Sequence, residues 1–439
     1  MSPPGSTAVP YDQAPLRPFH ARVAVASFGG VFSDGFGLGI VGIALSQATT
    51  QLQLTPLWLG LLGGASLAGL FLGALLTGPF ADRWGRRPVF AYNMLLLALC
   101  ASLQFFATSA VQLLLLRLLI GFLLGTDYVV SKALLTEFTP GAFRGRVMST
   151  LSVAWAGGYT CAYFVGYALA GSGDDAWRWM LACSAVPCLL ILPLRLTLPE
   201  SPLWLAAQGR RDQATRIVQR YVGQNVSAPL SVAAPIQTAG RWAQLLSPMW
   251  RRRTLVACAF FTCQVIPYFA VGTFVTHVLD ALDVGNSFVG GLAYNLSLLC
   301  GAVLGLLVVD RMPRRTFLVG SFAITAGAML GLVLMENPGP VTVVFLFVVF
   351  AGVLSAASNL VYVYLPELFP TPLRASGIGL AIAASRIGSA ASTFLLPVVV
   401  SRYGVHVALG ACVAVLAFGG LVCHAWAPET RHCKLDTVV

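Results

Sequence analysis

Twelve apolar stretches run through this chain, at 23–47, 57–79, 89–108, 111–138, 147–170, 177–198, 254–277, 286–309, 316–335, 340–365, 375–400 and 403–427. Each is long enough to cross a bilayer, which takes about 20 apolar residues in a helix. In lipid a segment must satisfy its own backbone groups, so only helices or a closed barrel can span. The stretches show no period-two alternation and exceed the roughly 9–11 residues of a barrel strand. An all-α membrane protein of twelve transmembrane helices is expected. Composition agrees: 10% of residues are charged, against about 25% in a soluble domain.

The loops set the expected orientation. Arginines cluster after every second span: Arg83, Arg86 and Arg87; Arg144 and Arg146; Arg210, Arg211, Arg216 and Arg220; Arg311, Arg314 and Arg315; then Arg374. The intervening loops hold little positive charge beyond Arg178 and Arg402. By the positive-inside rule both termini face the cytoplasm. The net charge of +11 thus belongs to cytoplasmic loops and gives no reason to expect a nucleic-acid partner. The first 22 residues are polar and Pro-rich, with no apolar core of a secretory signal. The ten cysteines sit mostly in apolar stretches without CxxC spacing, so buried thiols are expected and a metal site is not.

Two halves repeat. The segment 78–90 (GPFADRWGRRPVF) matches 305–318 (GLLVVDRMPRRTFL), so Asp82 pairs with Asp310 and Arg86 with Arg314 at an offset of 228. The segments 135–145 and 365–375 match at 230, pairing Glu137 with Glu367 and Arg144 with Arg374. Glu200 and Glu429 match at 229. The expected organisation is a tail (1–22), a six-helix bundle (23–198), a cytoplasmic loop (199–253), a second bundle (254–427) and a tail (428–439).

The Asp-Arg-x-Gly-Arg-Arg loop after span two resembles the hallmark loop of the major facilitator superfamily. The Pro-Glu motifs at 199–202, 366–371 and 428–430 are similar to those of its sugar-porter and metabolite:proton symporter branch. The resemblance implies a secondary active transporter of the inner (plasma) membrane, with two pseudo-symmetric bundles around a central cavity. It implies no cofactor beyond the proton gradient, and a monomer. Acids and arginines at the helix ends can pair in one access state and separate in the other. The expected gating set is Asp82, Arg83, Arg86, Arg87, Glu137, Arg144 and Glu200, with Asp310, Arg311, Arg314, Arg315, Glu367, Arg374 and Glu429.

Five full charges fall well inside the spans: Asp34, Arg117, Asp127, Lys132 and Arg386. Each is costly against lipid and needs a polar cavity or a partner. Asp34, in Ser33-Asp34-Gly35-Phe36-Gly37, is similar to the first acid of the Asp-Gly-x-Asp motif of aromatic-acid:proton symporters, with Gly37 in place of the second. Arg117 matches the span-four arginine of the sugar-porter branch. Proton coupling is expected at Asp34, Asp127 and Arg117, with Asp34 a candidate partner of Arg117 or Lys132. Asp127 and Lys132 lie about 140° apart around a helix, so each needs a partner from another span. Arg386 has no acid in its own span, and its planar fork of donors suits a carboxylate.

Expected substrate contacts are Arg386, Lys132, Tyr159, Tyr163, Gln264, Tyr268, Asn295, Asn359 and Tyr362. Tyr159 and Tyr163 belong to a face of four rings repeating every four residues, whose plain reading is helix packing and whose sharper one is a stacking wall for substrate. The resulting expectation is proton-coupled import of a small organic anion, aromatic or otherwise. A neutral-sugar porter, an exporter and a non-transporting sensor remain alternatives. No HExxH, Gly-x-Ser-x-Gly or nucleotide loop suggests an enzyme.

Overall fold

A computed structural model describes residues 9–227, 244–309, 311–335, 338–369 and 371–430, apart from the side chains of residues 79, 82, 371, 372, 374 and 375. Twelve helical spans follow the expected order. They are α1 (Pro18–Gln51), α2 (Pro56–Trp84), α3 (Arg86–Leu103), α4 (Ala110–Phe138), α5 (Gly141–Leu169) and α6 (Ala176–Leu196). The second set is α7 (Arg251–Thr273), α8 (Ser287–Val308), α9 (Arg314–Leu334), α10 (Pro340–Ser358, continued by Leu360–Glu367), α11 (Thr371–Tyr403) and α12 (Val405–Trp426). Eleven are long and apolar enough to cross a membrane by hydropathy alone. The exception is α5, whose glycines, serines and tyrosines dilute its apolar content. The first helix begins at Pro18, five residues before the stretch expected at 23, because Arg17 adopts an extended conformation and Pro18 opens the first turn.

Packing repeats between the halves. In the first, α1 lies on α5 and α2 on α4; in the second, α7 lies on α11 and α8 on α10. The halves meet along α2 with α11 and along α5 with α8, again as a related pair. Contact is tightest on the side away from the arginine loops. There Gly42 of α1 lies against the Thr273 carbonyl of α7, and Gly60 of α2 against that of Phe394 in α11. Any Cβ at either position would overlap that oxygen, so these backbones meet only because both residues are glycine. On the same side Tyr163 donates to the Phe288 carbonyl (3.4 Å), and the Tyr167 ring lies 5.8 Å from that of Phe288.

Short helices at Pro202–Ala207 and Arg211–Ile217, and a π-helical turn at Val218–Val222, extend from α6. The N-terminal tail runs beside them: Val9 exchanges backbone bonds with Asn225 and Ser227. The nine described cysteines are free thiols.

Candidate functional site

Between the bundles, at mid-depth, lies a cavity with about 800 Å³ of empty space. Both halves contribute to its lining: Asp34, Tyr128 and Trp155 from the first, Gln264, Tyr268 and Arg386 from the second. Phe261, Phe269 and Tyr362 extend the aromatic wall, and Ser152, Ser355 and Ser358 add hydroxyls. The Trp155 ring centroid is 5.6 Å from that of Tyr268 and 5.8 Å from that of Phe269, so rings cross the gap between the bundles.

The two mid-depth acids have different surroundings. Asp127 is fully buried in an ion pair with Arg195, which holds it through both guanidinium arms; the Nη2–Oδ2 distance is 3.0 Å. Ser131 donates to the same carboxylate at 2.8 Å. Arg195 also donates to the Ala26 and Phe90 carbonyls and lies over the Phe90 ring. Asp34 is 3% exposed and lines the cavity, and neither of its oxygens has a hydrogen-bond partner among the described residues. Its charged neighbours are Asp127, Arg195 and Lys132. Two expectations need correction here. Arg195 is a sixth charge inside the spans, fully buried: near the end of its span it reads as an arginine reaching for the interface, yet the side chain is long enough to turn inward. Arg117 does not pair with Asp34; it donates to the Gly37 carbonyl at 3.4 Å, one turn farther along α1.

Two cations converge on Tyr128, Arg386 from the cavity lining and Lys132 from outside it. Lys132 Nζ lies 3.3 Å from the Tyr128 ring centroid and 4.7 Å from that of Tyr362. Arg386 Cζ approaches the same Tyr128 ring at 5.5 Å, with Phe261 and Phe269 each at 5.8 Å. Arg386 is 6% exposed, its Nε is unpartnered, and it has no acidic partner among the described residues. A cation over an aromatic face gains part of its lost hydration, and the unpartnered Nε still has a donor to offer. Tyr128 was not among the expected contacts. Its signal was the four-residue spacing to Lys132, which puts ring and ammonium on one helix face.

Gln264, Tyr268 and Tyr362 line the cavity as expected, and Gln264 Oε1 is unpartnered. Five other expected contacts lie outside that lining, Lys132 among them. Tyr163 packs between α5 and α8, Tyr159 is buried under Trp155, and the Asn295 side chain donates to the Gly291 carbonyl of its own helix. Asn359 donates to the Ala302 carbonyl and accepts from Ser152 at 2.7 Å. Polar groups at membrane depth here join helices, and sequence gave no means of separating that use from ligand binding.

At the arginine-loop face the two halves are duplicates. Glu200 accepts from the backbone N–H groups of Arg86 (3.0 Å) and Arg87 (3.1 Å), capping α3. Glu429 does the same for Arg314 (2.9 Å) and Arg315 (3.0 Å) at the start of α9. Arg86 pairs with Glu137 at 3.4 Å, and Arg314 with Glu367 at 3.6 Å. Even the next contact repeats: Arg87 donates to the Leu196 carbonyl and Arg315 to that of His424. Arg144 pairs with Asp12 of the tail at 2.8 Å. All these pairs stay within one half. Arg83 and Arg311 are exposed. Asp310 and the side chains of Asp82 and Arg374 lie outside the described residues.

Known proteins match this architecture over its whole length. The chain is 40% identical over 430 residues to the inner membrane metabolite transport protein YgcS of Escherichia coli, covering 98% of this chain and 96% of that one. It is 27% identical to the niacin transporter NiaP of Acinetobacter baylyi, covering 97% and 98%. A partially occluded inward-open structure of the xylose transporter XylE from E. coli superposes with a TM-score of 0.81 at 18% identity, covering 95% and 100%, which is a likeness of fold. The family described as "Sugar (and other) transporter" matches residues 23–438, and the chain belongs to that family, within the major facilitator superfamily.

Proposed function

We propose that this transporter carries a small organic carboxylate, with an aromatic acid as the first candidate, into the cell together with protons by alternating access. The carrying observation is Arg386, a buried guanidinium without an acidic partner among the described residues, in a cavity walled by aromatic rings. A carboxylate would accept two parallel bonds from that fork, and a planar ring would stack among Tyr128, Trp155, Tyr268 and Phe269. Lys132 adds positive potential from the opposite half. Asp34 supplies the proton site: it is the mid-depth carboxylate left without hydrogen bonds, while Asp127 is held by Arg195. The proton affinity of a carboxylate depends on its surroundings, so one whose neighbours change between access states can carry a proton. The relative named for niacin, a pyridine carboxylate, points the same way.

The arginine asymmetry puts both termini and the central loop in the cytoplasm. The tight contacts of Gly42 and Gly60 then lie on the periplasmic side, and the cavity belongs to an inward-facing carrier.

A thermal-shift screen of the purified protein against carboxylates, amino acids and sugars tests the substrate class, since a ligand stabilises according to its occupancy. Aromatic carboxylates are expected to raise the unfolding midpoint, and their neutral amides are not. Stabilisation by sugars alone would turn the assignment to a neutral porter, for which Gln264 and the three cavity serines supply the hydrogen bonds.

A further inference from the structure

A second concavity lies at the arginine-loop face, away from the transport cavity. It has about 1190 Å³ of empty space. The end of α2, the start of α3 and the end of α6 meet there with the short helices of the central segment. Its lining brings together Arg87, Arg210, Arg216 and Arg220, with Trp84 and Tyr221. Arg216 and Arg220 sit four apart, which puts them on one helical face. The opposite face of this segment is apolar, with Ala214, Val218 and Val222 buried.

The charges in this cleft are unbalanced. Its one lining acid, Glu200, already accepts from the backbone of Arg86, Arg87 and Ser201. Arg210 and Arg216 are exposed and have no ion pair among the described residues; Arg220 has only the Tyr221 ring, at 5.4 Å. Asp212 is outside the lining. Four cations on one cleft repel each other, and an anion would relieve that.

The cleft also has an apolar edge. Trp84 is 65% exposed and Phe80 50% exposed, and their rings make an edge-on pair at 5.7 Å in the last turns of α2. Exposed aromatic rings at the end of a membrane-crossing helix mark the depth of the lipid headgroups. At that depth the phosphates of a bilayer would stand level with the arginines and the start of its acyl chains with the rings. A free phosphate would use only the cations, whereas a phospholipid would use both surfaces.

We propose that this cleft binds an anionic phospholipid, with Arg210, Arg216 and Arg220 on the headgroup phosphate and Trp84 and Phe80 against its chain. Basic clusters beside a membrane select anionic headgroups in this way. The site would also brace the first bundle, because the Tyr221 ring packs at 4.8 Å on Phe19 in the first turn of α1.

The test uses the full-length protein in neutral detergent, titrated with phosphatidylglycerol or phosphatidylcholine carrying brominated chains, with tryptophan fluorescence as readout. Phosphatidylglycerol is expected to quench at lower mole fraction than phosphatidylcholine, and Trp84→Phe should remove most of that difference. The triple variant Arg210→Gln/Arg216→Gln/Arg220→Gln should shift half-quenching by at least about tenfold for phosphatidylglycerol and leave phosphatidylcholine unchanged. Its thermal midpoint without lipid should match that of the native protein, because the three side chains are exposed. Equal quenching by the two lipids, or an unshifted triple variant, overturns the proposal. Displacement of phosphatidylglycerol by inorganic phosphate at equal concentration would also overturn it, by assigning the cleft to a free anion.

Discussion

The two halves of this transporter make the same contacts at one depth and differ at another. At the arginine-loop face each half caps a helix with a glutamate and ties an arginine to a second one: Glu200, Arg86 and Glu137, then Glu429, Arg314 and Glu367. At mid-depth the likeness ends. At the repeat offset of 228–230, Asp34 corresponds to Thr262, Cys263 or Gln264, and Asp127 to Ser355, Ala356 or Ala357. Arg386 corresponds to Ala156, Gly157 or Gly158. The first half keeps one acid at the cavity, Asp34; the second keeps one cation, Arg386, and uncharged polar groups. Helix ends must be satisfied in both bundles for the same backbone reason, so that solution was retained twice.

The largest expected effect is in the first half. Asp34→Asn should abolish proton-driven, uphill uptake in proteoliposomes while some counterflow survives. An Asn variant that still concentrates substrate would move the proton site elsewhere and remove the contrast between the halves.

Next is the buried pair. Arg195→Met leaves the Asp127 carboxylate buried without its partner and should cost about 3–5 kcal/mol of stability, read as a lowered unfolding midpoint in detergent. Adding Asp127→Asn should recover much of that loss. If the double variant is no better than the single one, Asp127 is not held in place by Arg195 alone, and its role as a structural acid fails.

In the second half, Arg386→Lys should raise the substrate's apparent dissociation constant about tenfold, roughly 1.4 kcal/mol, with little loss of folded protein. Unchanged binding by the Lys variant would remove Arg386 from the substrate site.

The smallest effects test the likeness itself. Glu200→Gln and Glu429→Gln should each cost about 1 kcal/mol, the usual worth of a helix cap, and by equal amounts. Markedly unequal losses would show that the duplicated geometry hides different duties.

Much of this was legible in the chain. Twelve spans, their alternating loop charge and the repeat all follow from hydropathy and spacing, because lipid imposes its demands on every helix locally. The cavity was legible in part. Asp34, Arg386, Gln264, Tyr268 and Tyr362 stood out as polar groups at depth, and all five line it. Asn359, Tyr159 and Tyr163 stood out for the same reason and turned out to join or pack helices, while the Asn295 side chain bonds within its own helix. Hydropathy measures depth along a helix; it does not say which way a side chain faces relative to helices distant in sequence.

By itself, then, the sequence determined a membrane-spanning, twice-repeated helical carrier, since length, apolarity and motif offset are properties of the chain. The tertiary structure decided which charge answers which. Arg195 meets Asp127 across 68 positions, and Arg386 meets Tyr128 from the other half. Ion pairs and cation–ring contacts act over a few ångströms in a low-dielectric interior, and only the packing of distant helices brings such groups that close.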